Sequence, residues 1–289
     1  MIAWSHLSSA GFTIRGEHSN PSGKPVIHFL HGNGYCGRTY WPMLELLQPD
    51  FDIFISDLQG HGDTDHGGEF RGWNRSAELA AEAWSSQAHK FESVPQFAVG
   101  HSFGGVLTSL MLAHQPARFK RAVLLDPVLF SPVMLTSMAL LQRVGLLKRT
   151  ALAQKARQRK SRWPDRATAY ASLNGRGMFK GWAHDALQAY IDHALRDAAP
   201  DGVELKCHPH REAEVFSSFP QRLWTALKHV QVPIKVDFAE QSFPFVAKSV
   251  QRWLAINGQV VAEKVAGNHC FMQQDPALAA RRIKDFLLR

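Results

Sequence analysis

Along the first half of the chain, short apolar runs alternate with helical patterns, and Gly, Pro and Asp punctuate the junctions. The runs predict strands near Phe12–Arg15, Val26–Leu30, Phe51–Ser56, Gln96–Gly100 and Arg121–Leu125. Apolar spacing predicts helices near Thr39–Leu47, Ser76–Phe91 and Phe103–His114. Strands that alternate with helices in this way indicate βα units and a mainly parallel α/β sheet.

After Pro127 the strand signal lapses and the sequence turns helical, basic and aromatic. Its clearest helix is His184–Ala198, where Leu187, Tyr190, Ile191, Ala194 and Leu195 fall on one apolar face. The strand pattern resumes with Val232–Phe238 and Gln259–Val265, each followed by a helix, Phe245–Ala255 and Pro276–Leu288. The middle segment therefore reads as an excursion from one sheet. This divides the chain into a core of residues 1–127 and 226–289 and a helical cap over 128–225. No internal repeat or low-complexity segment is visible.

The composition agrees with a soluble globular protein, with 289 residues, 45% of them hydrophobic and 20% charged, long enough for one large α/β domain or one domain with an inserted subdomain. The most apolar region, Ala122–Leu147, is interrupted by Asp126, Pro127, Pro132 and Arg143, so no transmembrane segment is expected. Met1–His6 lacks the basic start and apolar stretch of a signal peptide, which places the chain in the cytoplasm as an expectation. Cys36, Cys207 and Cys270 are odd in number and widely spaced, which suggests free thiols and neither a disulfide framework nor a metal site. The formal charge of +8 collects between Arg143 and Arg166, where Asp165 is the one acid. A solvated helix face is the ordinary reading of such a run. Without aromatic interleaving nucleic acid is not an expected partner, whereas an anionic substrate or membrane surface stays open. Homodimerisation is compatible with the sequence.

The chemistry concentrates at Gly100-His101-Ser102-Phe103-Gly104, between an apolar strand and a helix. A G-x-S-x-G turn there needs small residues flanking the serine and lifts Oγ clear of the sheet toward a base. The strand Val26–Leu30 runs into His31-Gly32-Asn33-Gly34 at the same sheet edge. That loop can present a backbone N–H, from Asn33, to a developing oxyanion, and the N–H of Phe103 supplies a second donor. Of the fifteen histidines, His269 follows the last predicted strand and precedes the last helix, where it can take the Ser102 proton as general base.

These segments, with Asp57-Leu58-Gln59-Gly60-His61-Gly62, resemble the α/β-hydrolase superfamily over almost the whole chain. The resemblance implies an eight-stranded, mostly parallel sheet with helices on both faces, an inserted helical lid, and hydrolysis of an ester, thioester, amide or C–C bond without a cofactor. One position departs from the pattern. Ser242 stands where most relatives carry the triad aspartate, and a serine cannot stabilise an imidazolium by charge. Two carboxylates can substitute. Asp126, at the end of the strand Arg121–Leu125 and next to Pro127, is preferred as the position that a minority of the superfamily uses; Glu240 is the alternative. A serine rather than an aspartate at the elbow favours acyl transfer over epoxide opening or dehalogenation.

Aromatic and Met side chains of the cap, among them Phe130, Met134, Trp163 and Trp182, favour an apolar acyl group. The leading expectation is a capped serine hydrolase of a small apolar ester or thioester, with Ser102, His269 and Asp126 as catalytic residues. Alternatives are a C–C bond hydrolase of a vinylogous diketone and a ligand-binding fold that has lost catalysis.

Overall fold

The computed structural model describes residues 1–289. Eight strands form one sheet: β1 (Ile2–Leu7), β2 (Thr13–His18), β3 (Val26–Leu30), β4 (Asp52–Ser56), β5 (Gln96–His101), β6 (Arg121–Leu125), β10 (Ile234–Gln241) and β11 (Val260–Asn268). Their spatial order is β1-β2-β4-β3-β5-β6-β10-β11. The β1–β2 and β2–β4 pairs are antiparallel, and every other pair is parallel.

The central strands bury both faces, as parallel strands between helical layers must. Val26, Phe54, Ala98, Leu124 and Val236 point to one apolar cluster, which Trp84, Val106, Leu110 and Trp253 fill from the helices Trp73–Gln87, Ser102–His114 and Val246–Ile256. Ile27, Ile53, Val99 and Val123 point to the other, filled by Met43, Leu44, Ile283 and Leu287 from Trp41–Glu45 and Pro276–Leu287. The eighth strand is β1, which the periodicity does not predict. Only Trp4 in it is buried, because it is an edge strand with one face in water.

Between β6 and β10 the chain forms helices, the longest being Pro132–Arg143, Arg166–Leu173, His184–His193 and Pro209–Phe216. This stretch is not free of strands. β7 (Arg162–Trp163), β8 (Leu195–Asp197) and β9 (Val203–Leu205) make a small antiparallel sheet in the order β7-β9-β8. Strands of two and three residues are too short to carry a period-two signal. The helix expected over His184–Ala198 accordingly stops at His193, and Leu195 becomes the first residue of β8. Its apolar spacing continues through a hairpin whose tight end, with Pro200 and positive-φ Gly202, cannot continue a helix. No helix is long and apolar enough to cross a membrane.

Burial sets a pH dependence. It holds His28 at about 3 and His31 at about 4, against an ordinary 6.5, while it pushes Asp57 up to about 6. His61 and His101, buried likewise, are held well below the ordinary histidine value too, so between pH 6.5 and 4 the unfolded chain takes up four histidine protons that the folded chain refuses, and stability falls as the pH falls. Below pH 6 Asp57 opposes this with one proton that the folded state holds more readily. The histidine protons outnumber that one, so the net effect in this window is a loss of stability as the pH falls. Urea midpoints are expected to decline through this window and to decline more steeply in Asp57→Asn; midpoints flat from pH 6.5 to 4 would contradict the assignment.

Candidate active site

At the end of β5 the chain turns into the Ser102–His114 helix with Ser102 at φ 54°, a left-handed conformation rare outside glycine. The flanking glycines are there for clearance. A Cβ on Gly104 would lie 2.3 Å from the Leu30 carbonyl oxygen, and one on Gly100 would lie 2.5 Å from the Gly104 carbonyl oxygen. The end of β3 thus packs directly under the elbow.

Four strand ends then meet. His269 Nε2 lies 2.8 Å from Ser102 Oγ, and His269 Nδ1 donates to Asp126 Oδ2 at 2.5 Å. Asp126 follows β6 at φ 44° and is fully buried. Its other acceptor contacts satisfy it, since the Ala239 N–H donates to Oδ1 at 2.9 Å and Ser242 Oγ donates to Oδ2 at 2.5 Å. The structure therefore brings Ser102, His269 and Asp126 together, whereas Glu240 is solvent-exposed at the end of β10 and makes no hydrogen bond to His269. Asp237 is engaged elsewhere, bidentately by Arg282 at 2.9 and 2.7 Å.

Asn33 lies on the loop after β3 with a backbone N–H that no group of the chain accepts. Its side chain is anchored: Nδ2 donates to the Glu212 carbonyl at 3.0 Å, and Oδ1 lies 3.1 Å from His61 Nε2. Phe103 is the second residue of its helix, where the N–H has no intrahelical acceptor. Both donors are free in the way anion stabilisation requires. Ser102 and His269 are each 8% exposed, so the site is nearly closed. Around it runs an aromatic wall: Phe243 meets His269 edge-on at 4.8 Å, Phe245 stacks on Phe243 at 5.8 Å and Phe130 on Phe245 at 5.6 Å.

Two residues at the site carry contacts that periodicity and motif do not assign. His101, inside the elbow motif, is fully buried; its Nε2–H donates to the His269 carbonyl at 3.0 Å, and Tyr40 Oη bonds its Nδ1 at 2.6 Å. The Gly32 N–H in turn donates to Tyr40 Oη at 3.1 Å, which ties the loop after β3 to the loop carrying His269. Burial, then the neighbouring His269, holds His101 well below the ordinary histidine range, in keeping with a neutral ring that donates from one nitrogen and accepts at the other. The signal for His101 was a histidine within a glycine-flanked turn. Tyr40 had no sequence signal.

A family model described as the alpha/beta hydrolase family matches residues 29–282. The chain belongs to that family. It is similar to a monoglyceride lipase of Rattus norvegicus, 31% identical over 119 residues, which are 38% of this chain and 38% of that protein. It is also similar to an (E)-2-((N-methylformamido)methylene)succinate hydrolase of Acinetobacter baylyi, 25% identical over 44% of this chain and 46% of that one. The chain thus spans less than half the length of these curated relatives. Among solved structures, an E-2-(acetamidomethylene)succinate hydrolase superposes with a TM-score of 0.78 at 19% identity, over 99% of this chain and all of that one, a likeness of fold.

If the Gly32–Tyr40–His101–His269 chain positions the imidazole, His101→Phe should slow fluorophosphonate labelling of Ser102 by about tenfold or more, two hydrogen bonds being lost. His101→Gln, which keeps a donor and an acceptor, should recover part of that rate. Equal labelling rates in wild type and His101→Phe would show that the ring only fills space.

Proposed function

We propose that the protein is a serine hydrolase that cleaves a small apolar carboxylic ester or thioester through an acyl-enzyme. The reading rests chiefly on one observation, the hydrogen-bonded series from Ser102 Oγ through His269 to the buried Asp126. In it Ser102 Oγ attacks the carbonyl carbon as His269 Nε2 takes its proton, and Asp126 holds the Nδ1–H tautomer and offsets the charge that forms on the ring. The oxyanion would accept from the Asn33 and Phe103 N–H groups. His269 then returns the proton to the leaving alcohol or thiol. In the second half it activates water, which attacks the acyl carbon and frees Ser102.

Residues 128–225 act as the lid in this reading, and the Phe130, Phe243 and Phe245 wall supports an apolar acyl group. The relatives named for cleaving lipids and for cleaving acylated aminomethylene succinates would share the acyl-transfer step. C–C bond hydrolysis has no observation that favours it here.

Hydrolysis of p-nitrophenyl acyl esters of graded chain length tests the proposal. Ser102→Ala should abolish turnover and fluorophosphonate labelling together. Asp126→Asn should lower kcat by about 10⁴-fold, as expected when the histidine loses its orienting acid. Glu240→Gln should leave kcat within twofold. Turnover that survives Ser102→Ala would overturn the proposal.

A further inference from the structure

From Pro127 to Pro164 the chain contains no Asp or Glu. The Pro132–Arg143 helix within this stretch has no buried residue, although it reads Pro-Val-Met-Leu-Thr-Ser-Met-Ala-Leu-Leu-Gln-Arg. Val133 is 76% exposed, Leu140 62% and Val144 59%, and Leu146 and Leu152 continue the exposed aliphatic surface. Five of the thirteen large hydrophobic residues exposed on the molecule fall between Val133 and Leu152.

Cations accompany them. Arg143, Lys148, Arg149, Lys155, Arg157 and Lys160 are all exposed. The ion pairs of this stretch are confined to Arg159 with Glu212 and Arg162 with Glu204, so these six have no carboxylate partner. Exposed aliphatic groups cost free energy in water, and clustered like charges repel. One kind of surface relieves both at once: an apolar phase bordered by anions. A nucleic acid would satisfy the cations and leave Val133, Leu140 and Val144 in water. A second copy of the chain would bury the aliphatic groups but bring two cation clusters together.

We infer that residues 132–158 form a docking surface for an anionic lipid bilayer, with the aliphatic side chains in the interface and the cations at the headgroups. The surface leads to the site described above. Phe130, two residues before the helix, begins the aromatic wall that passes through Phe245 and Phe243 to His269. Docking there would bring an acyl group from the bilayer to the apolar wall without crossing water. That route rests on the hydrolase reading; the docking itself does not.

The test uses full-length protein carrying Ser102→Ala, sedimented with phosphatidylcholine vesicles with and without roughly 30% phosphatidylglycerol. Partition should favour the anionic vesicles and weaken as salt is raised. The triple variant Lys148→Glu/Arg149→Glu/Lys155→Glu should lose a hundredfold or more, at about fivefold per cation removed. Leu140→Ser/Val144→Ser/Leu146→Ser should lose at least tenfold. In the Ser102 background both triples should keep the wild-type kcat on a soluble short-chain ester, which shows that they fold. Absence of an anionic preference, unchanged partition in either triple, tighter binding to duplex RNA than to vesicles, or a dimer that the aliphatic triple dissociates would each overturn the docking surface. If ester hydrolysis fails while partition behaves as stated, the hydrolase reading falls and the docking surface stands.

Discussion

The buried carboxylate of Asp126 is the contact on which the geometry of the site depends. It has no exposed surface, so each of its hydrogen bonds must come from the protein, and three donors at two strand ends supply them: Ala239 within β10, Ser242 just after it and His269 after β11. An unsatisfied carboxylate at that depth would cost several kcal/mol. Satisfying it pulls the ends of three neighbouring strands to a common point. Ser102 reaches the same point from β5, the strand on the other side of β6.

Backbone strain accompanies this convergence. Ser102 and Asp126 are two of the three non-glycine residues with positive φ, at about 1–3 kcal/mol each. The surrounding packing holds them there: Gly100 and Gly104 let the strand ends approach within distances that any Cβ would block, and the Tyr40–His101 bonds fasten the loops on either side. Rigid placement of this kind is what a group acting in a transition state needs, because it removes reorganisation at the moment of reaction.

Much of this was legible in the chain. The strands of the parallel centre are apolar through their length and end in Gly-rich or Asp-bearing turns, so their positions and the elbow at Ser102 could be read from local pattern. β1 could not, since an edge strand buries one residue of its six, and β7, β8 and β9 are set by tertiary pairing rather than by periodicity. Ser242 was recognisable as a departure, and Asp126 as the carboxylate at a stiff strand end. That Ser242 turns its hydroxyl onto Asp126 was not legible, because it follows from the register of β10 beside β6. His101 and Tyr40 are joined by contacts 61 residues apart, beyond any local pattern.

The carboxylate behind His269 sits at the end of β6, with Ser242 in the seat next to it. Moving the acid between these seats is the decisive experiment. Steady-state hydrolysis of a p-nitrophenyl ester is to be compared in Asp126→Asn and in Asp126→Asn/Ser242→Asp. The second substitution should restore at least tenfold of the kcat lost in the first, since the new carboxylate starts within hydrogen-bond reach of the point where Asp126 Oδ2 now accepts from His269 Nδ1. Near-wild-type kcat in Asp126→Asn would contradict that placement of the acid.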